Sequence, residues 1–231
     1  MNVGIIGSGF VAQTLGEQLL TVGQQVMISA RDPDVPKDLG ERGVLPAADA
    51  WATAQYDQGR PAAAGTFAEA ATFGELLINA TAGTGSLAAF GAVDEGDVDG
   101  KILVDLCNPL DFSRGMPPRL SVCNDDSIAE QLQAAHPGAR VVKALNTVTV
   151  AVMVDPGQLG EETDLFVAGN DPDARKWVAD TVLTDWLGWT RIVDLGDLTA
   201  ARGLEMYLPL WLRLWGATGT PLLNVRLVVA A

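Results

Sequence analysis

The hexapeptide Gly7-Ser8-Gly9-Phe10-Val11-Ala12 fits G-x-G-x-x-[GA], a pattern that seats a dinucleotide pyrophosphate at a helix start. Gly7 permits the tight turn, Gly9 lets the main chain approach the phosphates, and the small Ala12 allows close helix–strand packing. The N–H groups that open the following helix then offer positive partial charge to the anion. The context is the one this chemistry requires: an apolar run precedes the motif, a helical pattern follows it, and a second apolar run comes next. That second run ends Ser29-Ala30-Arg31. Small residues therefore stand where an NAD site carries Asp or Glu, and a guanidinium suited to a 2′-phosphate follows them. A charge-assisted contact of that kind is worth roughly 1.5–3 kcal/mol, which favours NADP. The competing reading pairs Arg31 with Asp32 or Asp34 at the surface and lets Asp32 reach the ribose.

Two further loops leave apolar runs. Thr81-Ala82-Gly83-Thr84-Gly85-Ser86 follows LLINA at 76–80, and Asn108-Pro109-Leu110 follows ILVDL at 102–106. Both fall where the carboxyl ends of parallel strands would place a ligand, although each also reads as an ordinary turn. Acids and bases for catalysis are scarce. The single histidine, His136, sits in AAHPG before a proline that disfavours helical geometry, and is expected to be a solvated loop residue. Glu205 lies three residues after Arg202, the spacing of an intrahelical pair. Asp111, Tyr207 and Glu205 remain the candidates if a proton donor is needed. Hydride transfer between two redox cofactors needs stacking and orientation more than proton abstraction.

One histidine and two cysteines, Cys107 and Cys123, supply neither a multi-histidine nor a four-cysteine metal site, nor a disulfide framework. The 29 acidic residues outnumber the 15 basic ones, and a net charge of −14 repels nucleic acid and anionic lipid. Any anionic ligand then needs a local pocket of main-chain N–H groups or arginine. No basic and apolar leader opens the sequence, and no uncharged apolar run reaches the length of a bilayer span, so a soluble cytoplasmic protein is expected.

The elements that must position these residues alternate between short apolar runs and helical patterns. VGII at 3–6, QVMISA at 25–30, LLINA, ILVDL and VVKAL at 141–145 read as buried strands. Between them, TFAE at 66–69 and SIAE at 127–130 match the capping box, and Asp171-Pro172 opens a helix that should stop near Gly188. The expected fold is an α/β, Rossmann-type doubly wound parallel sheet with a small C-terminal α/β domain. The stretch 32–65 reads as connection with one short helix. A change of character near 147–158 suggests a dinucleotide-binding domain over 1–150 and a second domain over 151–231. In the latter, LEMYLPLWLRLW places Trp211 and Trp215 four apart, either to pack a core or dimer interface or to wall a flat ring.

GSGFVA, the SAR strand end, DLCNPLDF, VVKALNT and DLGDLTAARGLEMYLPLWLRLW occur in an order that resembles the NADPH-dependent deazaflavin (coenzyme F420) reductases. The same order is similar to the oxidoreductase domain of the STEAP metalloreductases. The resemblance spans nearly the whole chain and is weakest over 32–65. It implies an enzyme, an NADP-dependent oxidoreductase that passes hydride between NADP(H) and coenzyme F420 or a flavin, with a homodimer built on the C-terminal domain. It further implies that Ser8, Gly9, Phe10 and Val11 hold the pyrophosphate and Arg31 the 2′-phosphate, with Gly7, Ser29 and Ala30 also among the cofactor-binding residues. Thr81, Ala82, Gly83, Asn108, Pro109, Ala144 and Asn146 would line the nicotinamide side. The family reads G-S-R where this chain has Ser29-Ala30-Arg31. An NADPH-dependent imine or carbonyl reductase and a non-catalytic NADP-binding sensor are the alternatives.

Overall fold

Every residue of LLIN and ILVD is buried, which requires a sheet covered on both faces. The structure, a computed structural model, describes residues 1–38 and 43–230. Strand β1 (Asn2–Ile6) leads through α1 (Phe10–Thr21) to β2 (Gln25–Ser29). A short ribbon of β3 (Lys37–Asp38) and β4 (Val44–Leu45) precedes α2 (Ala48–Tyr56), β5 (Ala62–Gly65) and α3 (Phe67–Phe73). Then come β6 (Leu76–Asn79), α4 (Ser86–Phe90), β7 (Ile102–Asp105) and a hairpin of β8 (Leu110–Asp111) and β9 (Arg119–Leu120). Helix α5 (Ile128–Ala135), β10 (Arg140–Ala144), α6 (Val150–Val154) and β11 (Leu165–Gly169) follow. The chain closes with α7 (Pro172–Trp177), β12 (Ile192–Asp194), α8 (Ala201–Met206) and α9 (Leu208–Thr218).

Eight strands form one sheet in the order β12-β11-β10-β7-β6-β1-β2-β5. All neighbours are parallel except β10 and β11. The order reverses between β1 and β6, and the crevice beyond their carboxyl ends is where such sheets bind ligands. The expected boundary near residue 150 lies within this sheet, because β11 pairs directly with β10. Alternation sorts the core into two halves. Val3 and Ile5, Leu76 and Ile78, and Ile102 and Val104 pack with α1, α2, α6 and α7 residues on one face. Ile6, Leu77 and Leu103 pack on the other with Phe90, Ile128, Leu132 and Ala201. Among the described residues no helix is long and apolar enough to cross a membrane.

The start signals work as their chemistry predicts, with one asymmetry. Thr66 and Glu69 form a reciprocal capping box, and Asp171 accepts from the N–H groups of Asp173 and Ala174. At Ser127 only half of the box forms. The hydroxyl accepts from Glu130 N–H, but the Glu130 carboxylate is engaged by Arg202 and the Ser127 N–H turns to Asp126 instead. The α7 helix continues as a π-helical stretch, Val178–Trp186, and ends at Gly188 with φ of 78°.

Two expectations are corrected. The connection at 32–65 contains not only a helix but strand β5, a parallel edge strand on β2, and the β3–β4 ribbon; its residues 39–42 lie outside the described residues. The AAAG sequence of β5 lacks the β-branched residues that mark a strand. His136 is not solvated: it is 7% exposed at the end of α5, its ring edge-on to Phe90 at 5.8 Å. The proline ends the helix as expected, but the turn folds the imidazole inward.

Close strand–helix packing makes Gly4 a test of the fold. A Cβ there would meet the Ala70 carbonyl oxygen of α3 at 2.1 Å, and main chain cannot step aside as a flexible side chain can. Gly4→Ala is expected to destabilise the protein by about 2–3 kcal/mol in urea unfolding, the usual scale of overpacking.

Candidate active site

The turn after β1 is built by its glycines and by Ser29. Gly7 adopts φ of 133°, and a Cβ on it would lie 2.6 Å from the Ala80 carbonyl oxygen. The Ser29 hydroxyl is fully buried, donates to the Ile5 carbonyl at 2.8 Å and accepts from Gly7 N–H at 3.4 Å. Ser29 thus spends its hydrogen bonds on the shape of the glycine turn. Gly9 caps α1 with no side-chain hydrogen bond, and the space beside its Cα is open. The chain therefore leaves both room and an uncapped helix start where a pyrophosphate would lie.

Two cavities flank this turn and share Thr81 and Ala82 as a common wall. The smaller, about 440 Å³, is bordered by Gly7, Gly9, Ser29, Ala30, Arg31 and Lys37. Arg31 forms no ion pair with Asp32 or Asp34 and, like Lys37, makes no hydrogen bond among the described residues. Lys37 escaped the sequence reading because it follows β2 by eight residues in a segment without a clear pattern.

The larger cavity, about 550 Å³, lies between Phe10 and Val11, the loops after β6 and β7, and the C-terminal helices. Thr81, Ala82, Gly83, Asn108 and Asn146 line it, as do Phe112, Met153, Leu208 and Trp211. Trp211 is buried and lines the cavity, whereas Trp215, 5.6 Å from it, is 40% exposed and does not, so core and cavity wall describe Trp211 alone. Phe10 and Phe112, which both line this cavity, are 61% and 54% exposed. Pro109 and Ala144 border neither cavity; Ala144 is fully buried in the core.

The loops that form this wall are locked to each other. Gly83 lies so close to Asn108 that a Cβ would come within 2.1 Å of its carbonyl oxygen. The Asn108 side-chain amide donates to the Asn146 main-chain carbonyl at 2.9 Å, while Asn146 Nδ2 donates to Asn108 Oδ1 at 2.9 Å and to the Leu204 carbonyl at 3.0 Å. Leu145, at φ of 63°, turns the chain sharply before Asn146. Below the loops, Asn79 donates to Asp105 at 2.8 Å and accepts from Thr81, while the Cys107 thiol donates to the Thr81 carbonyl at 2.9 Å.

Lys143 anchors this network. Its ammonium is fully buried and donates to Asp105 Oδ2 at 2.7 Å, Glu205 Oε1 at 2.7 Å and the Cys107 carbonyl. The expected Arg202–Glu205 pair is not made: Glu205 faces Lys143 and accepts from the N–H groups of Ile128 and Ala129, while Arg202 takes Glu130 in a bidentate pair. Short-range spacing lost here to a buried cation whose charge requires neutralisation. Burial alone would lower Lys143, but Asp105 and Glu205 outweigh it and raise its pKa. Burial raises Glu205 against the pull of Lys143, and burial together with Asp105 pushes the Cys107 thiol up to about 12.

The triad supplies a stability prediction. Lys143→Met strands two buried carboxyls and is expected to cost about 3–5 kcal/mol near neutral pH. Because Glu205 binds its proton more tightly folded than unfolded, its contribution is fully present below the ordinary carboxylate value and is lost as pH rises through the folded one. Without Lys143 the Glu205 carboxyl moves further up. Urea unfolding should therefore show a smaller gap between wild type and variant at pH 5 than at pH 8.

Against known proteins, the sequence profile of the family described as NADP oxidoreductase, coenzyme F420-dependent, matches residues 2–109. The F420-dependent NADP reductase of Methanocaldococcus jannaschii is 35% identical over 115 residues, which are 49% of this chain and 50% of that protein. The rat metalloreductase STEAP3 is 27% identical over 91% of this chain and 38% of its own length. The match thus spans half or less of these curated relatives. A crystal structure from Arthrobacter sp. FB24, provisionally described as an F420-dependent NADP reductase, superposes with a TM-score of 0.89. It is 42% identical over 99% of this chain and 100% of that one. The chain belongs to the coenzyme F420-dependent NADP oxidoreductase family.

Proposed function

We propose that the protein is an NADP-dependent oxidoreductase that transfers hydride between NADP(H) and a deazaflavin, coenzyme F420. The observation that carries this reading is the pair of cavities that share Ala80, Thr81 and Ala82, one bordered by two uncommitted cations and the other by the exposed Phe10 and Phe112. Bound NADPH would supply the hydride. Arg31 and Lys37 are suited to hold a 2′-phosphate, and the uncapped start of α1 to receive a pyrophosphate. Thr81, Ala82, Asn108 and Asn146 would then border the nicotinamide, and Phe10, Phe112 and Trp211 the flat ring of the acceptor. In this arrangement residues 1–150 bind the dinucleotide and 151–231 complete the acceptor wall through Met153, Leu208 and Trp211. The family resemblance adds a cytoplasmic homodimer, and the exposed Leu210, Val228 and Val229 offer apolar surface for one.

The distribution of protons favours donor-free hydride transfer over reduction of an imine or carbonyl. Of the three candidate donors only Asp111 borders the larger cavity, and hydrogen bonds from Ser113 lower its pKa, so it stands there as a carboxylate. Glu205 is committed to Lys143, and Tyr207 borders neither cavity. The Cys107 thiol, near 12, has no readily released proton.

The test is anaerobic mixing with NADPH and coenzyme F420, with FMN and FAD in parallel. Bleaching of the deazaflavin absorbance with matching loss of NADPH is expected; bleaching of a flavin alone, or none, overturns the choice of acceptor. Arg31→Ala is expected to weaken NADPH binding about 10- to 100-fold while NADH changes little, the scale of one lost charge-assisted phosphate contact. Equal losses for both nucleotides would remove the 2′-phosphate assignment.

A further inference from the structure

Cations are scarce in this chain, and where the uncommitted ones lie is informative. With 29 acidic residues against 15 basic, most described Lys and Arg side chains are already engaged. Lys143, Arg175, Lys176, Arg191 and Arg202 form close ion pairs, and Lys101 and Arg60 are hydrogen-bonded. Among the described residues, Arg31, Lys37, Arg114, Arg119 and Arg213 make neither a hydrogen bond nor an ion pair. The first two border the smaller cavity. Arg114 and Arg119 lie on the hairpin that leaves the larger one.

We infer that the hairpin at 110–120 is a docking element for an acceptor with an anionic appendage, with Phe112 against its ring and Arg114 and Arg119 binding the phosphate or carboxylates. Leu110, Asp111 and Phe112 line the cavity, and Arg119 stands opposite Asp111 in the β8–β9 register. Arg119 is the ladder partner of the cavity-lining Asp111, and Arg114 follows the cavity-lining Phe112 by two residues, so both sit on the hairpin beside the cavity. Asp111 forms no ion pair with either arginine; its two oxygens accept from the N–H and hydroxyl of Ser113 at 2.8 and 3.0 Å. Among the described residues no Lys or Arg borders the cavity itself, so a charged part of the acceptor finds no cationic partner inside and leaves over the rim. A protein of charge −14 repels an anionic acceptor at long range, and two free guanidinium groups at the mouth oppose that repulsion locally.

This inference rests on reading the larger cavity as the acceptor site, and the experiment separates the two. Coenzyme F420 and its tail-free ring, 8-hydroxy-5-deazariboflavin, are titrated by fluorescence in the presence of NADP+, with FMN and riboflavin as a phosphate-only pair. Wild type is expected to bind the tailed ligand more tightly, with the preference shrinking as salt is raised. The double variant Arg114→Ala, Arg119→Ala should lose about 3- to 20-fold for the tailed ligand and nothing for the tail-free ring or NADP+. Both side chains are exposed, and unchanged NADP+ affinity reports an intact fold. Loss with FMN as well as F420 assigns the phosphate; loss with F420 alone assigns the carboxylates. Equal affinity for tailed and tail-free rings, or a preference that survives in the variant, overturns the inference even if hydride transfer is observed. A tail preference lost in the variant without hydride transfer keeps the docking site and removes the proposed reaction. Binding of no ring at all overturns both.

Discussion

A lysine ammonium held away from all water must have its charge and its donors answered by the protein, because the desolvation cost runs to several kcal/mol per ion. Lys143 has three acceptors, each from a different part of the chain: Asp105 at the end of β7, Cys107 at the start of the following loop, and Glu205 on α8. Glu205 in turn accepts from the opening N–H groups of α5. One side chain on β10 therefore fixes the neighbouring strand end, two helices and the loop bearing Asn108. A neutral replacement of one member leaves the others buried and unpaired, so these elements hold together or fail together.

The site divides the labour between main chain and side chain in a way that suits an acidic protein. On the dinucleotide side, glycines and an uncapped helix start do most of the work, with no formal charge at the turn itself. Among the described residues, uncommitted positive charge stands at Arg31 and Lys37 beside the smaller cavity and at Arg114 and Arg119 on the hairpin that leaves the larger one. Between them, the shared wall at Thr81 and Ala82 is small and neutral, which allows two flat groups to approach each other closely. Such an arrangement favours orientation over acid–base help, the requirement of hydride transfer.

How much of this was legible in the sequence depended on the range of the interaction. The glycine turn, the strand ends and the N-caps at Thr66 and Asp171 are local, set within a few residues, and the sequence pattern located them. The partners of Lys143 are 36, 38 and 62 residues away, and a lysine inside VVKAL gave only the hint that a charge stood in an otherwise buried strand. Glu205 and His136 went astray for the same reason: local spacing suggested a partner or solvent, and tertiary burial decided otherwise. Phe112 and the hairpin arginines carry no periodic signal. Their meaning emerges only once β7 delivers them to the mouth of the cavity.

The width of the larger cavity follows from the buried triad rather than from the loops alone. Its far wall, Leu208 and Trp211, begins only a few residues after Glu205 on the same C-terminal helical segment. Two adjacent tethers hold that segment against the sheet: Glu205 to Lys143, and the Leu204 carbonyl to Asn146. The near wall, Asn108, hangs from the same lysine through Cys107 and from the same asparagine through its side chain. Both walls are thus referenced to two residues of β10 and the turn beyond it, Lys143 and Asn146. A shift of α8 would move Trp211 relative to Asn108, so the separation available to a stacked ring is set by two residues three apart in one short stretch of sequence.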